Sequence, residues 1–265
     1  MKKLEEMIIK YVADGMSEEQ AENYSCQEII LNKISQSPMV DNVLIKGGVV
    51  IFNKTHNLRR ATTDLDFDFI RYDISDQSIR TFVGLLNKYD SQYKIVCGKI
   101  KPLHQDDYQG KRVTITIADD TRKIDFKLDI GVHTLLAIKQ DKCCFTFGDN
   151  SNPILKINPP EQIVAEKLYS LAKHGILSTR TKDVYDIYYF VSGGFLDKKI
   201  VKQCLELLTI KKAYNISSLE DVCNRILAAL QSDVYLKRIE STKYRWIDID
   251  VESMAKVILD FIYTI

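Results

Sequence analysis

Three aspartates alternate with apolar residues in the segment Asp64-Leu65-Asp66-Phe67-Asp68-Phe69. Strict alternation predicts a β-strand, because successive side chains of a strand point to opposite faces of the sheet. Asp64 and Asp66 would then project from one face, roughly 6–7 Å apart along the strand. Carboxylates this close repel each other unless a cation lies between them, and Mg²⁺ is usually held by one or two carboxylates together with substrate phosphates. The segment therefore indicates a divalent-metal site, with a solvated acidic strand face as the simpler alternative.

A pair of glycines upstream points to a phosphate-binding turn. The short buried strand predicted at Val43-Leu44-Ile45 is broken by Lys46-Gly47-Gly48, and a helix is predicted to follow. Glycines at a strand-to-helix turn let backbone N–H groups approach a phosphate, and the helix N-terminus favours an anion. Lys46 is a further candidate for a phosphate contact. An ordinary tight turn with a solvated lysine is the alternative.

A second acidic strand lies downstream of the first. Residues Lys123 to Ile130 alternate between polar and apolar types and contain Asp125 and Asp129. These two aspartates have the same strand parity, so both face the same side of the sheet. Parity alone therefore leaves open which of them would join the first two acids.

The elements around these residues divide the chain into two parts. A capping box at residues 17–20 begins a long helix, and alternating residues on both sides of Asp119-Asp120 predict a β-hairpin. Further helices are predicted at 49–57, 75–89, 161–173, 178–193, 197–210, 218–231 and 250–263. Because Pro159-Pro160 marks a boundary before the helical half, we expect an α/β (α+β) domain over residues 1–157 and a helical C-terminal domain over 158–265.

The composition is that of a folded protein. The chain has 265 residues, of which 45% are hydrophobic and 28% charged, and its net charge is +1. This balance gives no argument for nucleic-acid binding over the whole surface, and a local basic face stays possible. Basic residues that are candidates for RNA contacts are Lys54, Arg59, Arg60, Lys211 and Lys212.

The sequence also predicts a cellular location. No run of 18 apolar residues indicates a transmembrane helix, and the first residues lack the apolar core of a signal peptide. The six cysteines show no CxxC pair and no spacing with histidine that is typical of zinc. We therefore expect a cytoplasmic protein without membrane association, whose cysteines are reduced and mostly buried.

Five segments together resemble one known family. They are Ile45-Lys46-Gly47-Gly48, the run from Arg60 to Phe67, the run from Lys127 to Gly131, the run from Pro160 to Tyr169, and the run from Arg180 to Tyr188. Their order is similar to that of the AbiEii family of nucleotidyltransferase-like toxins, which belongs to the polymerase-beta-like superfamily and acts in bacterial abortive infection and type IV toxin–antitoxin systems. The sequence departs from the family pattern at Val49, where a threonine hydroxyl that contacts phosphate is often found.

The resemblance implies a fold and a set of site residues in the first domain. The fold would be a mixed sheet of the nucleotidyltransferase type with flanking helices. Asp64, Asp66 and Asp129 would be catalytic residues and metal ligands, with Asp129 preferred to Asp125 because Asp129-Ile130-Gly131 matches the family motif. Lys46, Gly47 and Gly48 would bind the nucleotide.

In the second domain the resemblance points to three charged residues. Lys167 and Asp186 would have catalytic roles, and Lys167 and Asp183 would bind the nucleotide. Alternatively, Lys167 pairs with Asp186 across two helices in a structural role. An amphipathic helix with solvated acids is the simplest explanation of Asp183 and Asp186.

The function implied by the resemblance is metal-dependent transfer of a nucleoside monophosphate from an NTP to an acceptor. Mg²⁺ or Mn²⁺ would be the cofactor, tRNA the favoured acceptor, and a cognate antitoxin protein or its operon regulator a partner. Three alternatives use part of the same chemistry: an antibiotic-type nucleotidyltransferase with a small-molecule acceptor, a non-enzymatic nucleotide- or partner-binding module, and a nuclease.

Overall fold

The structure is a computed structural model that describes residues 3–89, 92–105, 108–148, 151–210 and 213–265. The chain forms two compact units. The first comprises residues 1–134 and 140–157, and the second comprises residues 135–139 and 158–265. The sequence prediction of a single break did not anticipate that residues 135–139 belong with the second unit.

The first unit contains a seven-stranded mixed sheet with the strand order β3-β4-β5-β2-β1-β7-β6. The strands are β1 (Val43–Lys46), β2 (Asp64–Phe69), β3 (Lys94–Gln105), β4 (Tyr108–Ala118), β5 (Lys123–Val132), β6 (Asp141–Cys144) and β7 (Ile154–Ile157). β2 pairs in parallel with β5, and β1 pairs in parallel with β7. The remaining pairs are antiparallel, so the central strand β2 has an antiparallel neighbour on one side and a parallel neighbour on the other.

Among its described residues, the first unit has four α-helices: α1 (Leu4–Ala13), α2 (Glu18–Gln36), α3 (Gly48–Thr55) and α4 (Asp76–Leu86). The predicted capping box of α2 is confirmed, since the Ser17 hydroxyl accepts from the Gln20 amide and the Gln20 side chain accepts from the Ser17 amide. The apolar residues of β2, β4 and β5 are buried, which leaves the polar residues of these strands on the opposite face of the sheet.

The described part of the second unit is helical. Its helices are α5 (Pro160–His174), α6 (Thr181–Ser192), α7 (Lys198–Thr209), α8 (Leu219–Leu230), α9 (Asp233–Glu240) and α10 (Val251–Ile262). Short 3-10 turns lie at Val40–Asn42, Leu58–Arg60, Gly175–Leu177 and Ala213–Asn215. Apolar stripes such as Val184, Ile187 and Phe190 of α6 form the core of this unit.

Several features differ from the sequence predictions. The sequence did not predict α1, α9, β3, β6 or β7. All six cysteines are free, but only Cys26 and Cys204 are buried, so the expectation of mostly buried cysteines was wrong. Across the described residues, none of the helices combines the length and the apolar character that crossing a membrane requires.

Candidate active site

Three carboxylates converge on the polar face of the sheet. Asp66 of β2 and Asp129 of β5 are register partners in neighbouring parallel strands, and Asp64 lies two residues before Asp66. One oxygen from each of Asp64, Asp66 and Asp129 lies within 4.8 Å of the other two. All three side chains are half-buried. The strand register therefore converts two separate acidic segments into one cluster.

Asp125 lies apart from this cluster. It is exposed, and its carboxylate accepts a hydrogen bond of 2.6 Å from the Thr116 hydroxyl. It lies four positions before Asp129, which corresponds to roughly 13 Å along a strand. Of the two acids that parity left open, Asp129 is the one that the structure brings beside Asp64 and Asp66.

The start of β2 is fixed by a buried amide. Gln27 of α2 is 1% exposed, and its side-chain nitrogen donates to the backbone carbonyls of Thr62 and Asp64 at 3.0 Å each. The Thr62 hydroxyl in turn donates to the Asp64 carboxylate at 2.8 Å. These bonds hold the first acid of the cluster in place, and they involve two residues that sequence reasoning had not singled out.

Arg112 of β4 is the second feature that the sequence predictions missed. It is the register partner of Asp129, and its guanidinium donates from Nε to Oδ1 at 2.7 Å and from Nη2 to Oδ2 at 2.6 Å. Two parallel bonds of this kind fix both the position and the plane of a carboxylate. Asp129 therefore meets the other acids with a defined orientation.

The diglycine turn lies directly against the acidic cluster. Gly47 has φ +71°, a conformation that favours glycine, and precedes the first turn of α3. A Cβ atom at Gly47 would overlap the Oδ2 atom of Asp66, and one at Gly48 would lie 2.9 Å from Thr62 Cβ. Both positions therefore require glycine, because the backbone of the turn packs against Asp66 and Thr62 too closely for a side chain.

Lys46 and Asp68 form an ion pair beside this turn. The Lys46 ammonium lies 2.6 Å from Asp68 Oδ1, and the two side chains are 17% and 6% exposed. Asp68 shares the parity of Asp64 and Asp66. It is not part of the acidic cluster, and its carboxylate pairs with Lys46 instead. The sequence prediction that Lys46 contacts a phosphate stays a prediction.

The second unit brings together its own three predicted residues. Asp186 is fully buried and lies 2.9 Å from the Lys167 ammonium, while the indole nitrogen of Trp246 donates to its other oxygen at 3.1 Å. Lys167 also pairs with Asp183. This network links α5, α6 and the segment before α10, and the catalytic and nucleotide-binding roles of its members stay predictions.

The basic residues proposed for RNA contact have different environments. Lys54 and Arg59 are exposed, whereas Arg60 is 2% exposed and therefore does not lie on the surface as predicted. Lys211 and Lys212 lie outside the described residues.

The chemistry of the acidic cluster fits a hard divalent cation. Its donors are carboxylate oxygens, without thiol or imidazole, and such a donor set suits Mg²⁺ or Mn²⁺. Three carboxylates this close also carry more negative charge than Arg112 alone balances. The fold and this cluster together define a candidate nucleotide-dependent transferase centre beside a glycine turn.

Comparison with known proteins gives the family. The model of a family described as "Nucleotidyl transferase AbiEii toxin, Type IV TA system" matches residues 29–252. The match covers most of the chain, and the chain therefore belongs to the AbiEii family and is a nucleotidyltransferase of that toxin family. The resemblance inferred from the five segments is confirmed. No curated protein matches the sequence.

Two solved structures are similar over most of their length. The crystal structure of JHP933 from Helicobacter pylori is 14% identical, with a TM-score of 0.48 and coverage of 94% of this chain and 93% of that chain. An antigenic nucleotidyltransferase-like protein from Paracoccidioides brasiliensis is 14% identical, with a TM-score of 0.44 and coverage of 76% of this chain and 93% of that chain. The assignment of this chain rests on the family match and not on these two likenesses.

Proposed function

We propose that the protein transfers a nucleoside monophosphate from an NTP to the 3′ end of a tRNA, with release of pyrophosphate, in a reaction that depends on Mg²⁺ or Mn²⁺. The observation that carries the proposal is the convergence of Asp64, Asp66 and Asp129 within 4.8 Å beside the Gly47 turn. A module that only binds nucleotide has no need of three facing carboxylates, and a nuclease has no need of a turn that suits a triphosphate.

Asp64, Asp66 and Asp129 are the residues that would hold the cation, and Asp64 and Asp66 would hold the triphosphate through it. When bound there, Mg²⁺ or Mn²⁺ neutralises charge on the phosphate oxygens of the substrate and of the leaving pyrophosphate. The hydrogen bonds from the Thr62 hydroxyl and the Gln27 side chain keep the start of β2 at Asp64 fixed during the transfer reaction. Because phosphoryl-group transfer needs little covalent help, positioning of this kind accounts for most of the catalysis.

Asp129 is assigned to the acceptor. Its carboxylate orients the attacking hydroxyl and takes its proton as the new bond to the α-phosphorus forms and the bond to the pyrophosphate oxygen breaks. The two hydrogen bonds from Arg112 keep the carboxylate in the plane that this step requires. Arg112 is a positioning residue in this account.

The glycine turn is assigned to the triphosphate. Gly47 and Gly48 leave the start of α3 free of side chains, so the backbone N–H groups there are available to phosphate oxygens. Lys46 contributes positive charge at the same turn while it pairs with Asp68. Val49 follows the glycines, and it offers no hydroxyl to the phosphates.

In the second unit, Lys167 is the cation that would contact the nucleotide, with Asp183 as a further nucleotide-binding residue. Asp186 holds Lys167 in position, because it is fully buried and offers one oxygen to this ammonium. The biological role that follows from the family is that of a toxin whose activity is restrained by an antitoxin, either a protein partner or a regulator of its operon.

The test is incubation of the purified protein with each α-labelled NTP, Mg²⁺ or Mn²⁺, and total cellular RNA. The proposal predicts label in a tRNA-sized band with the wild type, none with Asp66→Ala, and undiminished label with Asp125→Ala, which removes an acid of the same face outside the cluster. Equal labelling by wild type and Asp66→Ala refutes the assignment. Label in a small molecule with untouched RNA favours the antibiotic-type alternative.

A further inference from the structure

One face of the strands β3, β4 and β5 is exposed and rich in cations. The register places Lys101 opposite Arg112, Lys94 opposite Ala118, and Ala118 opposite Lys123, so the side chains of these residues project from one side of the sheet. Lys127 has the same parity as Lys123 on β5 and shares that side. We define the basic face as Lys94, Lys101, Arg112, Lys123 and Lys127, all of which are exposed.

The basic face carries a local excess of positive charge. Its described strand positions also include two carboxylates, Asp125 and Asp129, and each of these already accepts a hydrogen bond, from Thr116 and Arg112 respectively. Because the whole chain has a net charge of only +1, this excess is a property of the face and not of the protein in general. A surface of this sign attracts polyanions.

The basic face runs without interruption into the acidic cluster. Lys101, Arg112, Asp129, Asp66 and Lys46 form one row of register partners across five adjacent strands. In the neighbouring row, Lys127 is the register partner of Asp64. From Lys123 to Asp129 the face extends roughly 20 Å along β5, and from β3 to β2 it spans three strand spacings of about 4.8 Å.

We propose that the basic face binds the phosphodiester backbone of a single-stranded RNA end and directs its terminal hydroxyl to Asp129. This inference rests on the proposed function for the identity of the reacting centre. A strand that lies along β5 places several phosphates over Lys123, Lys127 and Arg112 while its last nucleotide reaches the acids. The length of the face suits a chain of a few nucleotides and exceeds what a small-molecule acceptor needs.

The chemistry of the face favours RNA over an anionic membrane. Among its described positions on these strands, Val96 is the large apolar side chain that is exposed, at 48%, and a membrane-binding surface needs a larger apolar area to insert. Binding through phosphates alone is tolerant of sequence and strongly dependent on salt.

The test measures binding without turnover. A fluorescein-labelled, 12-nucleotide single-stranded RNA of mixed sequence is titrated with protein in the absence of NTP, and anisotropy is followed at several salt concentrations. The variant is Lys123→Gln/Lys127→Gln. The matched control is Lys88→Gln/Lys142→Gln, which removes two exposed lysines of the same unit that lie outside β3, β4 and β5.

For the basic-face variant we expect affinity about tenfold weaker at low salt, and a slope of log K against log salt that is smaller by about 1.4, since each lost phosphate contact contributes about 0.7 on a single strand. The control should bind as the wild type does. Equal binding by variant and control overturns the inference. Wild-type binding to phosphatidylserine vesicles without binding to the RNA overturns it as well.

The outcome is separable from that of the proposed function. If the wild type labels RNA from an NTP while the basic-face variant binds RNA normally, the transfer reaction stands and the basic face is not its RNA site. If the variant loses binding while no RNA is ever labelled, the RNA site stands and the transfer reaction falls.

Discussion

Arg112 and Asp129 face each other across the β4–β5 hairpin, and the guanidinium donates two hydrogen bonds, of 2.7 and 2.6 Å, to the two oxygens of the carboxylate. The hydrogen bonding to Asp129 raises the pKa of Arg112 well above its ordinary value, and the nearby charges of Asp64 and Asp66 act in the same direction. Arg112 thus remains a cation beside the acidic cluster, and it fixes the one acid that comes from a different strand.

Replacement of Arg112 should therefore impair turnover more than folding. In Arg112→Gln, Asp129 loses both donors and its carboxylate is free to rotate. We expect kcat at saturating NTP and RNA to fall by about 10–100-fold, the usual effect of removing a partner that orients a metal ligand. Arg112→Lys, which keeps the charge but not the two-bond geometry, should be intermediate, and an unchanged kcat in Arg112→Gln would contradict the positioning role.

The Gly47 turn predicts a steric effect with a clear control. In Gly47→Ala the new methyl group overlaps Asp66, and the backbone must also hold alanine at φ +71°. We expect transfer activity to fall at least about tenfold and the melting temperature to drop by several degrees, since strain of this type costs on the order of 1–3 kcal/mol. Gly84→Ala in α4 meets no atom within 4 Å and should be neutral or stabilising by about 0.5–1 kcal/mol. Equal behaviour of the two variants would show that Gly47 has no steric role.

The charge network of the second unit predicts a large change in stability. Lys167→Met removes the ammonium that lies 2.9 Å from the carboxylate of Asp186, which is 0% exposed. Breaking a buried pair in this way costs about 3–5 kcal/mol, and urea unfolding followed by circular dichroism measures it. Lys198→Met, at an exposed position of α7, should change the free energy of unfolding by less than about 0.5 kcal/mol. If Lys167→Met lowered the free energy of unfolding by as little as Lys198→Met does, the network would contribute little to the stability of the fold.

Asp119 predicts a dependence of stability on acid pH. Partial burial acts to raise its pKa, but hydrogen bonds from the Leu4 amide and from the hydroxyl and amide of Thr121, with one from the Arg122 amide, outweigh burial and lower the pKa to about 2. A carboxyl whose pKa is depressed in the folded state stabilises the protein above its unfolded pKa of about 3.9, and this contribution is lost as the pH falls toward 2.

The measurement is urea unfolding of the wild type and Asp119→Asn between pH 6 and pH 2. The difference in the free energy of unfolding should be largest above pH 4 and should shrink between about pH 4 and pH 2. A difference that stays constant with pH would contradict the role of the Asp119 carboxylate.

The sequence was sufficient where a local pattern decides the structure. The alternation of residues 64–69 predicted β2 with its observed ends, and the capping box predicted the start of α2. Asp129 required more than parity, because Asp125 faces the same side. The choice between them depends on the parallel pairing of β2 with β5, which is a tertiary relationship that no single segment encodes.

The role of Arg112 could not be derived from the predicted turn. A two-residue turn at Asp119-Asp120 would pair Arg112 with Lys127, whereas the observed pairing of Ala118 with Lys123 places Arg112 opposite Asp129. Strand β3 could not be predicted from the sequence either. Its pairing with β4 shifts between Cys97 and Ile100, and this irregularity breaks the alternation on which strand prediction depends.

The most direct test of the account is the affinity of the protein for Mn²⁺, followed by the loss of the electron paramagnetic resonance signal of the free ion. The account predicts that Asp129→Asn binds Mn²⁺ at least about tenfold more weakly than the wild type, while Asp125→Asn binds it equally well, because only the former belongs to the cluster within 4.8 Å. Wild-type affinity in Asp129→Asn, or an equal loss in Asp125→Asn, would contradict a metal site formed by Asp64, Asp66 and Asp129.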